Sequence, residues 1–407
     1  MPVRGKVLRP RIRFALRAPL TATLLSLLMV LAPDHTFAPT LGAAPNAAAG
    51  GPVPVAGIPL SANITPPRLA RTQADAPPAP PPVATAPIDT AAFQAALGAA
   101  REHGQAFGVT FAAVRDGEVI WAGSSGVTRD GETLAPDAEM VIGSVTKTFV
   151  AATVLQLAEE GRIDLEASVR GYLPEQRRVD RAISVRQLLN HTSGLADVFN
   201  DRSKAAMESD PGRAWTSKEV LAAVGSPWFE PGRAYGYANT NYHLLGLIVE
   251  RVTGATLESE IEARFLGPLG LHGTRSLDAD NAGAMLPKSW ASIFWASGAM
   301  SSNATDLARW GDALLGGEVL DDATLEAMTD VHSDDYGLGI KRLELPRRVG
   351  YGHTGLLYAY TTMLIHLPKD DVTVALLVNR TQVDLPGMLA KRSPGKGPSL
   401  LRLVIDS

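Results

Sequence analysis

Residues 141–150 read V-I-G-S-V-T-K-T-F-V, an apolar run that turns through Gly143 and Ser144 into a helix, with Lys147 three places beyond the serine. From residue 145 to 160, Phe149, Val150, Val154, Leu155 and Leu157 fall on or near one stripe, and Gly161 follows as a C-cap. Ser144 is therefore expected at the N-cap or in the first turn, with Lys147 one turn on along the same face. A surface helix tolerates a lysine anywhere, so the pair has an ordinary reading. The chemical reading makes Ser144 a nucleophile and Lys147 the group that takes its proton. Such a lysine must be neutral near working pH, and burial and the positive end of a helix both disfavour its ammonium form. At that helix start the Ser144 backbone N–H can also face a developing oxyanion. A second S-x-x-K, Ser393 to Lys396, sits in a Pro/Gly turn and cannot open a helix in this way.

Working outward, residues 90–102 read as a helix, 109–114 as a strand, Asp116-Gly117 as a hairpin turn and 118–123 as the return strand. The middle, 164–320, is helix-rich with many Gly and Pro breaks, and 242–253 and 304–315 are its clearest helices. Residues 336–345, 348–353, 357–367 and 372–379 read as antiparallel strands, with 368–371 as the last turn. Strands at both ends and helices between predict an α+β fold: one antiparallel sheet flanked by helices, with an inserted helical region.

The 407-residue chain has a net charge of −4, too small to call for nucleic acid as a partner, and it has no run of like charge. Without cysteine there is no disulfide, no thiolate nucleophile and no thiolate metal site. The eight histidines form no H-E-x-x-H pair, so neither a metal nor another cofactor is expected. Residues 1–38 read as an export signal: six basic residues between Arg4 and Arg17, no acid before Asp34, and an apolar stretch at 20–31. A stretch of twelve is short for a span of about 20, so cleavage after Ala32 or Ala38 is the reading over an uncleaved anchor, and no stable membrane span is expected. Residues 39–87 hold 13 of the 29 prolines and only three charges, and read as a disordered Pro/Ala-rich linker. The globular domain is placed at 88–385, and 386–407, rich in Pro, Gly and Lys, as a tail where a closing helix would be expected.

Two further stretches bear on Ser144. Tyr237-Ala-Asn239, inside Y-G-Y-A-N-T-N-Y-H-L-L-G, directly precedes an apolar helix and can put a phenol and an amide at a pocket rim. Either is also explained as a packed loop tyrosine and a helix cap. His353-Thr354-Gly355 ends a strand, where the glycine lets a substrate backbone approach an open edge and Thr354 can bind an anion.

With I-G-S-V-T-K-T-F, L-L-N-H-T-S-G-L, Y-A-N-T-N-Y-H-L-L-G-L-I-V-E, G-A-M-S-S-N-A-T-D-L-A-R-W and G-Y-G-H-T-G, the chain resembles the serine penicillin-recognising family. That family comprises D-alanyl-D-alanine carboxypeptidases, class C beta-lactamases and related esterases. The resemblance runs from about Gly108 to Arg380 and implies a beta-lactamase/transpeptidase-like fold. It implies Ser144 as the acylated nucleophile, Lys147 as its base, Tyr237 as the proton relay and Asn239 as a pocket amide. His353, Thr354 and Gly355 would fill the place of the family's K-T-G strand, and the backbone N–H groups of Ser144 and Leu356 would form the oxyanion hole.

An unperturbed histidine is largely neutral at pH 7, so a substrate carboxylate needs another cation. Lys341 and Arg342 on the neighbouring strand are the candidates, and strand alternation lets only one of them face the pocket. His191 reads as a loop knot remote from Ser144, and Trp228, Trp290 and Trp295 mainly as packing residues. The expectation is an exported serine hydrolase trimming cell-wall peptides that end in D-alanyl-D-alanine. A beta-lactamase, a small-ester esterase, or a penicillin-binding sensor or wall-binding module without turnover remain alternatives.

Overall fold

The computed structural model describes residues 88–392 and 397–407. The predicted signal, the linker and the second S-x-x-K lie outside the described residues. Nine strands are present among those described: β1 Gly108–Arg115, β2 Glu118–Gly126, β3 Met140–Val141, β4 Arg275–Ser276, β5 Met300–Ser302, β6 Lys341–Leu345, β7 Arg348–Leu357, β8 Tyr360–Leu367 and β9 Val372–Val378. Six form an antiparallel sheet in the order β2-β1-β9-β8-β7-β6, so the two ends of the domain meet at the β1–β9 pair, with Ala112 opposite Ala375. The short β3, β5 and β4 make a second sheet beside the turn that carries Ser144.

Side-chain alternation sends the strands' residues to two separate cores. Phe111, Ala113, Val374, Leu376 and Ile365 face outward onto α1, Thr90–His103. Ala112, Val114, Ala375, Leu377 and Leu364 face the helical region. Because both faces are covered, β8 and β9 are buried along their whole length; β9 is apolar except for Thr373, and β8 also buries Thr361, Thr362 and His366.

Helix α2, Thr146–Glu159, runs through the larger core with apolar neighbours all round. Its neighbours include α3, Asn239–Thr253, α4, Lys288–Gly298, and α5, Ala304–Leu315. Trp310 on α5 fixes one contact: it stacks on Phe149 at 4.0 Å and donates its indole N–H to Thr148 Oγ1 at 2.8 Å. Trp310→Ala should therefore cost about 3–5 kcal/mol, the range for truncating a buried aromatic residue. Denaturant midpoints would show it, and a loss under about 1 kcal/mol would mean that the stack does not hold α5 to α2.

Two sequence expectations change here. Residues 336–340 do not join the ladder: Gly337 N–H closes a turn onto Ile340 O, and β6 begins at Lys341. The placement of 386–407 as a tail outside the domain is corrected. Leu385–Ala390 (α6) and Leu400–Asp406 (α7) bury Met388, Leu389, Leu400 and Val404 in the same core as Phe93 and Leu97. Pro386 sits in the first turn of α6, where its missing N–H costs nothing. No helix among the described residues is long and apolar enough to cross a membrane.

Candidate active site

Ser144 lies in a single 3-10 turn, Gly143–Val145, that leads into α2, rather than at an N-cap of the α-helix itself. The turn is pressed against β7. A Cβ on Gly355 would stand 1.9 Å from Ile142 O and 3.3 Å from Ser144 N, and one on Gly143, whose φ is +52°, would stand 2.9 Å from Leu356 N. Glycine at both places is what allows the contact. It draws the backbone nitrogens of Ser144 and Leu356 toward the same place, as two donors to one oxyanion require.

Lys147 is fully buried. Its Nζ lies 3.2 Å from Ser144 Oγ, 2.8 Å from Asn239 Oδ1 and 2.6 Å from Ser297 O. Burial holds its pKa well below the usual lysine range; Asp197 opposes this and Lys341 adds to it. A neutral amine has two N–H bonds and one lone pair. In that neutral form Asn239 Oδ1 and Ser297 O would accept the two N–H bonds and leave the lone pair for the Ser144 hydroxyl proton.

Tyr237 packs beside this pair, with Lys147 Nζ 4.9 Å and Lys341 Nζ 5.4 Å from its ring centroid. Burial raises its pKa well above 10, partly offset by Ser144. Its hydroxyl has no well-formed hydrogen-bond partner among the described residues. A phenol kept protonated and uncommitted beside Ser144 suits proton donation to a leaving group, with the proton returning from Lys147.

On β7, His353 is buried, Thr354 part-exposed, Gly355 buried and Leu356 41% exposed. The first residue of β6, Lys341, pairs with Gly352, so 353–357 have no β6 partner and present an open strand edge toward the site. His353 Nδ1 lies 2.6 Å from Thr354 O, which can only accept, so Nδ1 carries the proton and Nε2 accepts from Tyr336 Oη at 3.0 Å. Burial, then Lys341 and Lys147, push its pKa well below 6.5, so His353 is neutral and spans no anion.

Alternation decides between the two cations. Lys341 Nζ stands over the Tyr237 and Tyr336 rings, at 5.4 and 5.9 Å, with no hydrogen bond or ion pair among the described residues. Arg342 points away and is held by Asp335 at 3.3 Å and Glu344 at 2.9 Å. Arg342 is therefore corrected out of the site.

Asp197 escaped the sequence reading, and His191 was read in the wrong place. Asp197 accepts from Asn239 through both its backbone and its side chain. His191 ties its loop, as read, through Ala238 N and Asn241 Nδ2 on Nδ1, but it is not remote: its ring lies 4.2 Å from that of Tyr237. Of the tryptophans, Trp290 stacks on Phe294 and stands 5.6 Å from Tyr358, just beyond the open edge. Trp295 donates to Glu258 and packs on His243. Trp228, 52% exposed, lines a cavity of about 960 Å³ with Arg178 and Arg202, which borders the site only through Asp197 and Phe199.

A serine hydroxyl with an adjoining buried amine, a phenol, two close backbone nitrogens and an open strand edge make the arrangement of a serine hydrolase. The chain belongs to the Beta-lactamase family, whose sequence profile matches residues 93–392. Penicillin-binding protein 4 of Amycolatopsis lactamdurans is 31% identical over 199 residues, 47% of this chain and 50% of that protein. The match thus spans only half of that relative. Penicillin-binding protein 4* of Bacillus subtilis is 25% identical over 318 residues, 68% of this chain and 69% of its own. Among solved structures, a D-stereospecific amidohydrolase from Streptomyces sp. superposes with a TM-score of 0.63 at 30% identity, covering 74% of this chain and 97% of that one. The sheet and its helices are thus those of the beta-lactamase/transpeptidase-like fold.

Proposed function

We propose that the chain is an exported serine hydrolase that acylates Ser144 and removes the terminal residue from cell-wall peptides ending in D-alanyl-D-alanine. The observation that carries this is Lys341: its Nζ makes no hydrogen bond or ion pair among the described residues, feels the charge of Asp334 against the burial that lowers its pKa, and stands over the rings of Tyr237 and Tyr336 beside an open strand edge. A peptide laid along that edge would bring its terminal carboxylate to Lys341 and Thr354 while its scissile carbonyl meets the N–H groups of Ser144 and Leu356. The basic and apolar residues 1–38 support export.

Lys341→Ala is expected to raise KM for a D-Ala-D-Ala peptide about 10- to 150-fold, the equivalent of about 1.5–3 kcal/mol for a hydrogen bond to a charged group. Turnover of a small neutral nitrophenyl ester should barely change. Arg342→Ala should leave both alone, since its partners are Asp335 and Glu344. Equal losses on both substrates would point to a damaged fold, and no loss on the peptide would leave its carboxylate without a partner.

A second reading follows from the likeness to the D-stereospecific amidohydrolase: D-stereospecific hydrolysis of amides, including ones without a terminal carboxylate. Comparing one peptide as its free acid and as its C-terminal amide, with a chromogenic cephalosporin alongside, separates the readings. Preference for the amide favours the second, and preference for the cephalosporin a beta-lactamase.

A further inference from the structure

Asp197, in the loop between the helices Val185–Leu189 and Asp201–Ser209, takes no direct part in the chemistry above. Its Oδ1 accepts the backbone N–H groups of Asn239 at 2.9 Å and Phe199 at 3.1 Å, and its Oδ2 accepts Asn239 Nδ2 at 3.1 Å. Burial raises the Asp197 pKa, but all three partners donate and Lys147 faces it, both of which favour the ionised carboxylate.

The two ends of an amide have nearly the same shape, so which end faces Lys147 depends on what holds the other. With Nδ2 on Asp197, Oδ1 is left for Lys147 at 2.8 Å. Turned over, the amide would offer an N–H to Lys147 and occupy the lone pair that must receive the Ser144 proton. We infer that Asp197 is a positioning residue that fixes the Asn239 amide so that the Lys147 lone pair stays free for Ser144, and that it supplies a negative charge facing the base. This rests on the acyl-enzyme reading at Ser144.

The other groups around Lys147 cannot replace that charge. Tyr237 and Tyr242 present rings at 4.9 and 5.3 Å, and α4 presents the Ser297 carbonyl. Lys341 on β6 is a like charge, and His191 and His353 are buried and neutral. Asp197 opposes both burial and Lys341 in setting the protonation of Lys147.

The test uses the full chain with Asp197→Asn and the double variant Asp197→Asn/Asn239→Asp. Two readouts are followed against pH: titration of Lys147 by NMR with labelled lysine, and the rate of Ser144 acylation by a labelled penicillin. In the single variant the new side-chain amide meets Asn239 Nδ2 donor to donor, and a negative charge is lost. Lys147 should titrate at lower pH than in the wild type, and acylation should fall about 10²-fold, within the range of a general base's contribution. In the double variant one oxygen of the new carboxylate faces Lys147 and the other accepts from the amide at 197. Most of the acylation rate should return, and Lys147 should titrate at higher pH than in the single variant. An unchanged Lys147 titration in Asp197→Asn would overturn the inference, as would a folded double variant no faster than the single one. If the single variant does not fold, the double variant is compared with Asn239→Asp alone, and equal Lys147 titrations in the two would overturn the inference, since only the charge at 197 differs between them. A wild type that shows no acylation, while Lys147 still responds to Asp197→Asn, would sink the acyl-enzyme reading and leave the role of Asp197 standing.

Discussion

Ser144→Ala should lose turnover by about six orders of magnitude, the scale at which removing the nucleophile disables a catalytic unit whose members act together. Labelling by penicillin or by a fluorophosphonate should vanish with it. The fold should persist, because Lys147 keeps its bonds to Asn239 Oδ1 and Ser297 O when the 3.2 Å contact to Ser144 Oγ is removed. The change also leaves the Gly143–Gly355 contact untouched, since only a part-exposed hydroxyl goes. Intact-mass measurement after exposure to labelled penicillin checks the result, with a thermal midpoint alongside. A variant that still takes up label would place the nucleophile elsewhere.

The second large effect is acid sensitivity of the fold. Four histidines, His191, His243, His353 and His366, are buried with pKa values held below 6.5, and burial is the leading cause for each. His243 is brought down to about 4. The unfolded chain binds these protons near pH 6.5 while the folded chain does not, so below that pH unfolding takes up protons and stability falls. The contribution is complete above about 6.5 and, for His243, is lost progressively between about 6.5 and about 4. Each ring costs about 1.4 kcal/mol per pH unit in its window, so the four together cost at most about 5 kcal/mol per unit, where their windows overlap. That is comparable to the entire stability of an ordinary domain, about 5–15 kcal/mol. Denaturant midpoints should therefore drop steeply from pH 6.5 to 5, and His243→Phe, which keeps a ring against Trp295, should flatten the slope by one proton. Equal stability at pH 7.5 and 5.5 would show that these rings accept protons without unfolding.

What could be read ahead of the structure followed from local rules. The Asp116-Gly117 turn, the 304–315 helix and the strands at 109–114 and 372–379 each carry their own period and punctuation, and each forms within a few residues of its expected place. The sheet built from both chain ends follows from that order of elements. The clustering of Ser144 with Lys147 was legible because one helical turn brings them together. Helices α6 and α7 were missed because a Pro- and Gly-rich composition hid two short apolar stripes, L-P-G-M-L-A and L-L-R-L-V-I-D, that gain stability only by packing on α1.

The sequence by itself determined the α+β class, the turn that brings Ser144 to Lys147 and the choice of Lys341 or Arg342, since alternation admits only one to a given face. Tertiary structure alone decided which one, by starting β6 at Lys341 opposite Gly352, and it alone brought Asp197 and His191 to the site. Asp197 is 42 residues from the amide it holds, and His191 47 residues from the backbone N–H it accepts. Neither sits at a spacing that a helix or strand period could reveal. Their roles depend on loops closing over long stretches of chain, and that closure is set by burial of the whole core rather than by any local pattern.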